Sequence, residues 1–175
     1  DPATQSPADT TTAWQESLYA FKDKGTDYGN NLRTGAQLVT QTLSALSPTQ
    51  RTVTTNAVDW NAKDGWFLDF NPGNASPGER VNIDPELVLG TLLVATNVPV
   101  AATGGASCSI GGDSWLYQFD FRTGSFISTA NGVAGTKTGS VITVGMAAIQ
   151  LQSGAVKAIL TDNRGNHPLE GVNIG

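Results

Sequence analysis

The stretch Asp113–Ile127, DSWLYQFDFRTGSFI, decides the fold class of this 175-residue chain. Trp115, Tyr117, Phe119 and Phe121 fall on every second position, with Leu116, Gln118 and Asp120 between them. Side chains of an extended strand alternate between two faces, so this period predicts a strand with one aromatic face. Arg122-Thr123-Gly124 follows, and a second apolar run starts at Phe126. Glycine enters a tight reversal at no steric cost, so the stretch reads as strand, turn, strand.

The same punctuation recurs on both sides. Downstream, GSVITVGMAAIQL and GAVKAILTDN are two apolar runs joined over Gln152-Ser153-Gly154, a hairpin pattern. Upstream, GWFLDF alternates from Gly65, NPGNASPGER is a loop, and ELVLGTLLVATNVP is one long buried strand or a strand-turn-strand. ATGGASCSIGGD is a Gly/Ser loop. Residues 26–62 are less decisive. Leu32, Ala36, Val39 and Leu43 fit one helical face, but the Thr-rich flanks and Gly35 argue against a long helix. Residues 13–25 also have two readings. Trp14, Leu18 and Phe21 fit a helical face capped by Thr12 and Gln15. Against that, LYAFKDKG from Leu18 matches LYQFDFRTG from Leu116, which favours a strand. The two matches lie about two propeller-blade lengths apart, at roughly 40–50 residues per blade. Residues 1–12, DPATQSPADTTT, read as a poorly ordered linker, and residues 13–175 as one β-rich domain.

Composition narrows the function classes. Charged residues make up 14% and the net charge is −5, without a basic stripe, so nucleic acid is not an expected partner. The longest apolar run, LVLGTLLVATNVPVAA, is interrupted by Gly90, Asn97 and Pro99 and is too short to span a bilayer, which takes about 20 residues. No secretion signal or initiating Met precedes Asp1, which reads as the start of a processed or excised piece. Cys108 is the single cysteine, expected to be a free thiol or bridged to another chain if the protein is exported.

A search for catalytic chemistry finds no convincing constellation. His167 is the one histidine and reads as an exposed loop residue, and one His with one Cys does not make a zinc site. Asp162-Asn163-Arg164-Gly165-Asn166 places oxygen ligands around a glycine but lacks the further acids of a calcium loop, so it reads as a β-turn. GGASCSIGGD lacks the lysine and following helix of a phosphate loop. Asn74-Ala75-Ser76 marks a surface loop. Asp59, Asp64, Asp69, Glu79, Asp84 and Glu86 offer candidate carboxylate pairs for a hydrolase, though solvated loop and edge acids are the commoner case. The tryptophans Trp14, Trp60, Trp66 and Trp115 read as core residues, and Trp66, Leu68, Trp115, Tyr117, Phe119, Val141, Val144, Ile159 and Leu160 are expected to be largely buried.

Together these residues resemble the C-terminal region of PilC/PilY-type type IV pilus-associated proteins. The resemblance rests on Gly65-Trp66, Gly78-Glu79-Arg80-Val81, the strand through Thr96 and Pro99, Cys108 followed by Gly111-Gly112, and Leu116-Tyr117 with Thr123-Gly124. It runs from about Ser17 to Asn166. It implies an all-β fold of antiparallel β-propeller strand units on an exported protein at the cell surface, pilus tip or outer membrane. It also implies a noncatalytic role in pilus biogenesis, adhesion or twitching motility, with pilins, other tip proteins or a surface receptor as partners. Some members bind calcium through an acidic EF-hand-type loop. No such loop occurs here, so no cofactor is carried over. The Trp-Arg-Glu type ending of the longer family domain is also absent.

Length then sets an expectation about assembly. A propeller takes at least four blades of four strands, or roughly 160–200 residues. With a linker and loop-rich insertions, this chain has room for two or three blades with long loops. Exposed sheet edges should then be completed by the rest of the propeller or by another chain. The competing readings are a secreted carboxylate-dependent glycan hydrolase on a β scaffold, and a structural subunit that assembles by strand addition.

Overall fold

In a computed structural model, residues 15–25, 27–29, 32–76, 78–100 and 111–174 are described. The expected linker at 1–12, Trp14 and Cys108 lie outside them. Twelve strands run in order: β1 (Ser17–Phe21), β2 (Leu38–Ser47), β3 (Gln50–Val53), β4 (Gly65–Asp69), β5 (Arg80–Val81) and β6 (Glu86–Val88), then β7 (Thr91–Val100), β8 (Gly111–Asp120), β9 (Gly135–Gly139), β10 (Thr143–Gln150), β11 (Val156–Asp162) and β12 (Leu169–Val172). The described helix is limited to short 3-10 turns such as Pro72–Asn74 and Ser128–Ala130. The all-β expectation of incomplete propeller type holds.

Nine strands form one sheet, in the order β1-β4-β2-β3-β9-β8-β7-β5 with β6 also on β7. It curls into a half-barrel. β2 makes the bend: Leu38–Thr42 pair parallel with β4, while Leu43–Ser47 turn into an antiparallel hairpin with β3. The helical reading of residues 36–43 therefore fails, as does the one for 13–25, where β1 pairs with β4 from Ser17↔Asp69 to Phe21↔Gly65. Tertiary pairing outweighs a weak helical period when Thr and Val dominate the segment.

β10, β11 and β12 form a second, three-stranded sheet. It lies over the β7–β8 hairpin. Leu93 and Leu116 of that hairpin share an apolar cluster with Ala158 and Leu160 of β11. The opposite face of β8 presents Trp115, Tyr117 and Phe119 to the main core, with Trp66, Leu68, Phe70 and Val94. So β8 is buried on both faces, and its aromatic row is one of two apolar faces. Within the core, the Tyr117 and Phe119 rings stack at 5.5 Å, and Phe70 lies 5.4 Å from Tyr117. Such contacts add about 0.5–1.5 kcal/mol beyond burial.

Three local expectations need correction. The run after Phe126 is not a second strand. It makes one bridge, Phe119↔Phe126, and then a 3-10 turn ending at Asn131 in the left-handed region. Phe121 leaves the aromatic row and is 38% exposed, because it starts the reversal. Val144, expected in the core, is 53% exposed. A bulge between Thr143 and Gly145 breaks the alternation there and turns its side chain outward. Ile159 and Val141 are half-buried, while Trp66, Leu68, Trp115, Tyr117, Phe119 and Leu160 are buried as expected. The 152–154 hairpin forms, closed by Leu151 N–H to the Ala155 carbonyl at 2.8 Å.

Candidate functional site

The densest polar chemistry lies in the interior. Arg51 on β3 is 3% exposed and Glu79, just before β5, is fully buried. One Arg51 guanidinium nitrogen, Nη1, donates to both Glu79 carboxylate oxygens, at 2.8 and 2.7 Å. Glu79 also accepts from the Tyr117 hydroxyl at 2.8 Å, the Thr96 hydroxyl at 2.7 Å and the Asn71 N–H at 3.1 Å. Arg51 further donates to the Tyr117 oxygen and, at 2.5 Å, to the Ser76 hydroxyl. Its guanidinium carbon sits 3.7 Å from the Trp115 ring centroid. A planar, weakly hydrated guanidinium suits this place, since it can stack on an aromatic face and pair with a carboxylate together.

Four parts of the chain meet at this cluster: β3, the connection from Asn71 to Val81, β7 and β8. Burial first, and then the Glu79 charge, push the Tyr117 phenol well above its ordinary value. It therefore stays a neutral donor. A carboxylate has about four lone-pair sites, and these are filled by donors from the protein itself. The arrangement orders a loop and the interior of a sheet rather than offering a base to a substrate. Beside it opens a hollow of about 220 Å³ whose lining includes Arg51, Ser76, Trp115 and the Asp113–Lys137 ion pair. That is below the roughly 300–1,000 Å³ of ordinary small-molecule sites.

A second polar group lies on the outer face of β1 and β4. Arg33 binds both Asp69 oxygens, one at 2.8 Å, and its guanidinium carbon lies 4.9 Å from the Phe67 ring centroid. Tyr19 stacks on Phe67 at 5.5 Å, and Ser17 donates to Asp69 at 2.5 Å. Burial raises the Asp69 carboxyl, but the Arg33 and Ser17 hydrogen bonds and the Arg33 charge outweigh it and hold it below the usual range.

The residues that carry the resemblance converge in part. Trp66 on β4 lies against Gly124 in the turn after β8. A Cβ on Gly124 would stand 2.4 Å from the Trp66 ring. Beside it, the Thr123 carbonyl accepts from the buried Gln41 amide at 2.7 Å. A Cβ on Gly65 would lie 2.0 Å from the Ala20 carbonyl of the paired strand. Glu79 meets Tyr117, as above. Gly78 precedes Glu79 in the left-handed region, and its carbonyl accepts from Arg80 Nε at 3.2 Å. Gly112 at the start of β8 abuts Val98 and Ile142, whereas Gly111 faces open space.

The other candidates are placed as follows. Three of the acids hold structural partners: Asp64 pairs with Lys24, Glu86 accepts from the Ala148 N–H at 2.8 Å, and Asp59 accepts from the Asn61 N–H at 2.9 Å, while Asp84 is exposed. Glu79 corrects the expectation that these acids are solvated. Ser76 corrects the surface-loop reading of residues 74–76, being 7% exposed and bound to Arg51. Asp162 accepts the Arg164 and Asn166 N–H groups at 2.8 and 2.9 Å, which closes its own turn. His167 is exposed and bonds Thr161 at 3.1 Å. Among the described residues no His, Cys, Asp and Glu group has metal-site geometry. Arg51 was missed. It stands in a Thr-rich strand, and its partner lies 28 positions away.

The fold has a known counterpart. The chain is similar to the crystal structure of the Pseudomonas aeruginosa PilY1 C-terminal domain, with a TM-score of 0.61 and 21% identity over 86% of this chain. It spans 37% of the length of that solved chain. At that identity the likeness is one of fold. No family model and no curated protein matches the sequence.

Proposed function

We propose that this chain is a noncatalytic module of a type IV pilus-associated protein, exposed at the bacterial cell surface or pilus tip. The observation that carries this reading is the shared fold with the PilY1 C-terminal domain over 86% of the chain. The order of Gly65-Trp66, Gly78-Glu79-Arg80 and Tyr117…Thr123-Gly124 along the sequence supports it. So does the buried chemistry, because the strongest charge cluster spends its donors and acceptors on holding the fold. Such a module contributes to pilus assembly, adhesion or twitching by presenting surfaces to pilins, tip proteins or a receptor. No described helix is long and apolar enough to cross a membrane.

The test is genetic and physical. Deleting the coding segment in the source bacterium should reduce surface pili and the twitching zone, and the protein should be recovered with sheared pili. Unchanged pilus number and motility, with no protein in the pilus fraction, would sink the proposal. A panel of glycan substrates tests the hydrolase alternative. Turnover abolished by Asp64→Asn or Glu86→Gln would favour that reading.

A further inference from the structure

Exposed strand edges invite pairing with another chain, and proteins usually blunt them. Here side chains meet single outward groups on several edges. Along the outer edge of β10, Glu86 accepts the Ala148 N–H at 2.8 Å and Asn97 accepts the Thr143 N–H at 2.8 Å. Along β12, Gln118 donates to the Gly171 carbonyl at 2.9 Å and accepts the following Asn173 N–H at 2.8 Å. On β5, Glu16 accepts the Val81 N–H at 2.9 Å.

The edge of β1 is different. Phe70 N–H to Glu16 and Lys22 N–H to Asp64 bracket the register Ser17↔Asp69 to Phe21↔Gly65. The even-numbered residues of β1 therefore bond to β4. Ser17, Tyr19 and Phe21 turn their N–H and C=O groups the other way, where no described residue meets them. Phe21 is also 47% exposed.

We infer that the β1 edge pairs antiparallel with the β1 edge of a second copy of this chain, about a two-fold axis at Tyr19. The three outward residues are symmetric about Tyr19. Pairing Tyr19 with Tyr19 of the second copy, and Ser17 with its Phe21, uses every outward group. A slip by two residues in either direction leaves some unpaired. The same register sets Leu18 opposite Ala20 of the second copy, on the face where both pack against the main core. Apolar cross-strand pairs stabilise a sheet, and an isologous contact closes at two copies. A five-residue edge is a small interface, so the dimer is weak, with a dissociation constant of about 1 μM to 1 mM.

Sedimentation equilibrium over that range tests the inference, on the wild type, Tyr19→Pro and Tyr19→Ala. The Tyr19 N–H is not used by β4, so proline removes an outward donor without breaking that ladder. Tyr19→Pro should weaken dimerisation at least about tenfold, while Tyr19→Ala, which keeps its N–H, stays within about threefold of wild type. Disulfide trapping in a Cys108→Ser background gives a readout that tolerates a destabilised proline variant. Directly opposite Cα atoms in a hydrogen-bonded pair stand about 5.5 Å apart, within disulfide range. Tyr19→Cys should cross-link to itself. Ser17→Cys should cross-link when mixed with Phe21→Cys but not alone. A monomer up to about 1 mM, equal behaviour of the proline and alanine variants when both are folded, or cross-linking that ignores this register would overturn the inference.

Discussion

Replacing Glu79 with glutamine tests whether the buried cluster holds the fold. The carboxylate is fully buried, and Oε1 accepts from Arg51, Tyr117 and Thr96 while Oε2 accepts from Arg51 and Asn71 N–H. Glutamine must put an NH2 at one of these positions. At Oε2, the less crowded one, that NH2 confronts two donors. Arg51, 3% exposed, keeps its charge and loses its counter-ion. Two hydrogen bonds to a charged group are worth about 1.5–3 kcal/mol each, and breaking a buried pair from one side costs about 3–5 kcal/mol. We therefore expect Glu79→Gln to lose about 3–5 kcal/mol. For a chain of this length that lowers the melting temperature by about 6–20 °C. Urea titration followed by tryptophan fluorescence reads it well, since Trp115 lies against Arg51. The slope with denaturant should be unchanged and the midpoint lower. The double variant Arg51→Met with Glu79→Leu should lose less than Glu79→Gln, because it leaves no buried charge unpaired. A Glu79→Gln loss under about 1 kcal/mol would refute the reasoning.

Three further outcomes are expected. Gly124 has φ +70° and no room for a Cβ, whereas Gly154 has φ +85° and open space around it; Gly124→Ala should cost about 2–4 kcal/mol in urea titration and Gly154→Ala about 1–2. The raised Tyr117 phenol gives stability that is full below the ordinary tyrosine value of 10.0 and is lost as pH rises towards the higher folded value. Wild type should therefore weaken above about pH 10, and Tyr117→Phe, less stable at pH 7 by about 1–2 kcal/mol, should lack that part of the slope. The lowered Asp69 carboxyl works in the opposite sense: its contribution is present above the unfolded value of about 3.9 and fades as pH falls through the lower folded one. The gap in urea midpoint between wild type and Asp69→Asn should narrow as the solution is acidified below about pH 4.

The β class and most strand positions were readable from local pattern, because pleat alternation and turn chemistry act between near neighbours. Trp115-Tyr117-Phe119, the hairpin over residues 152–154 and the Thr123-Gly124 reversal needed no knowledge of the rest of the chain. The short repeat LYAFKDKG was enough to favour a strand where a helical face also fitted. What remained hidden depends on which strands become neighbours. β8 is buried on both sides only because the three-stranded sheet lies over Leu93 and Leu116. Val144 turns outward because of a bulge that alternation alone does not reveal. Glu79 looked like one acid among several, and Arg51 like one cation in a polar strand. Charge and composition cannot say that two groups 28 positions apart meet in the interior. Which edge groups find partners is likewise a tertiary decision. Among the described residues, the outward N–H and C=O groups of β1 meet no counterpart of the Glu86, Asn97 and Gln118 side chains, which take single groups on β10 and β12.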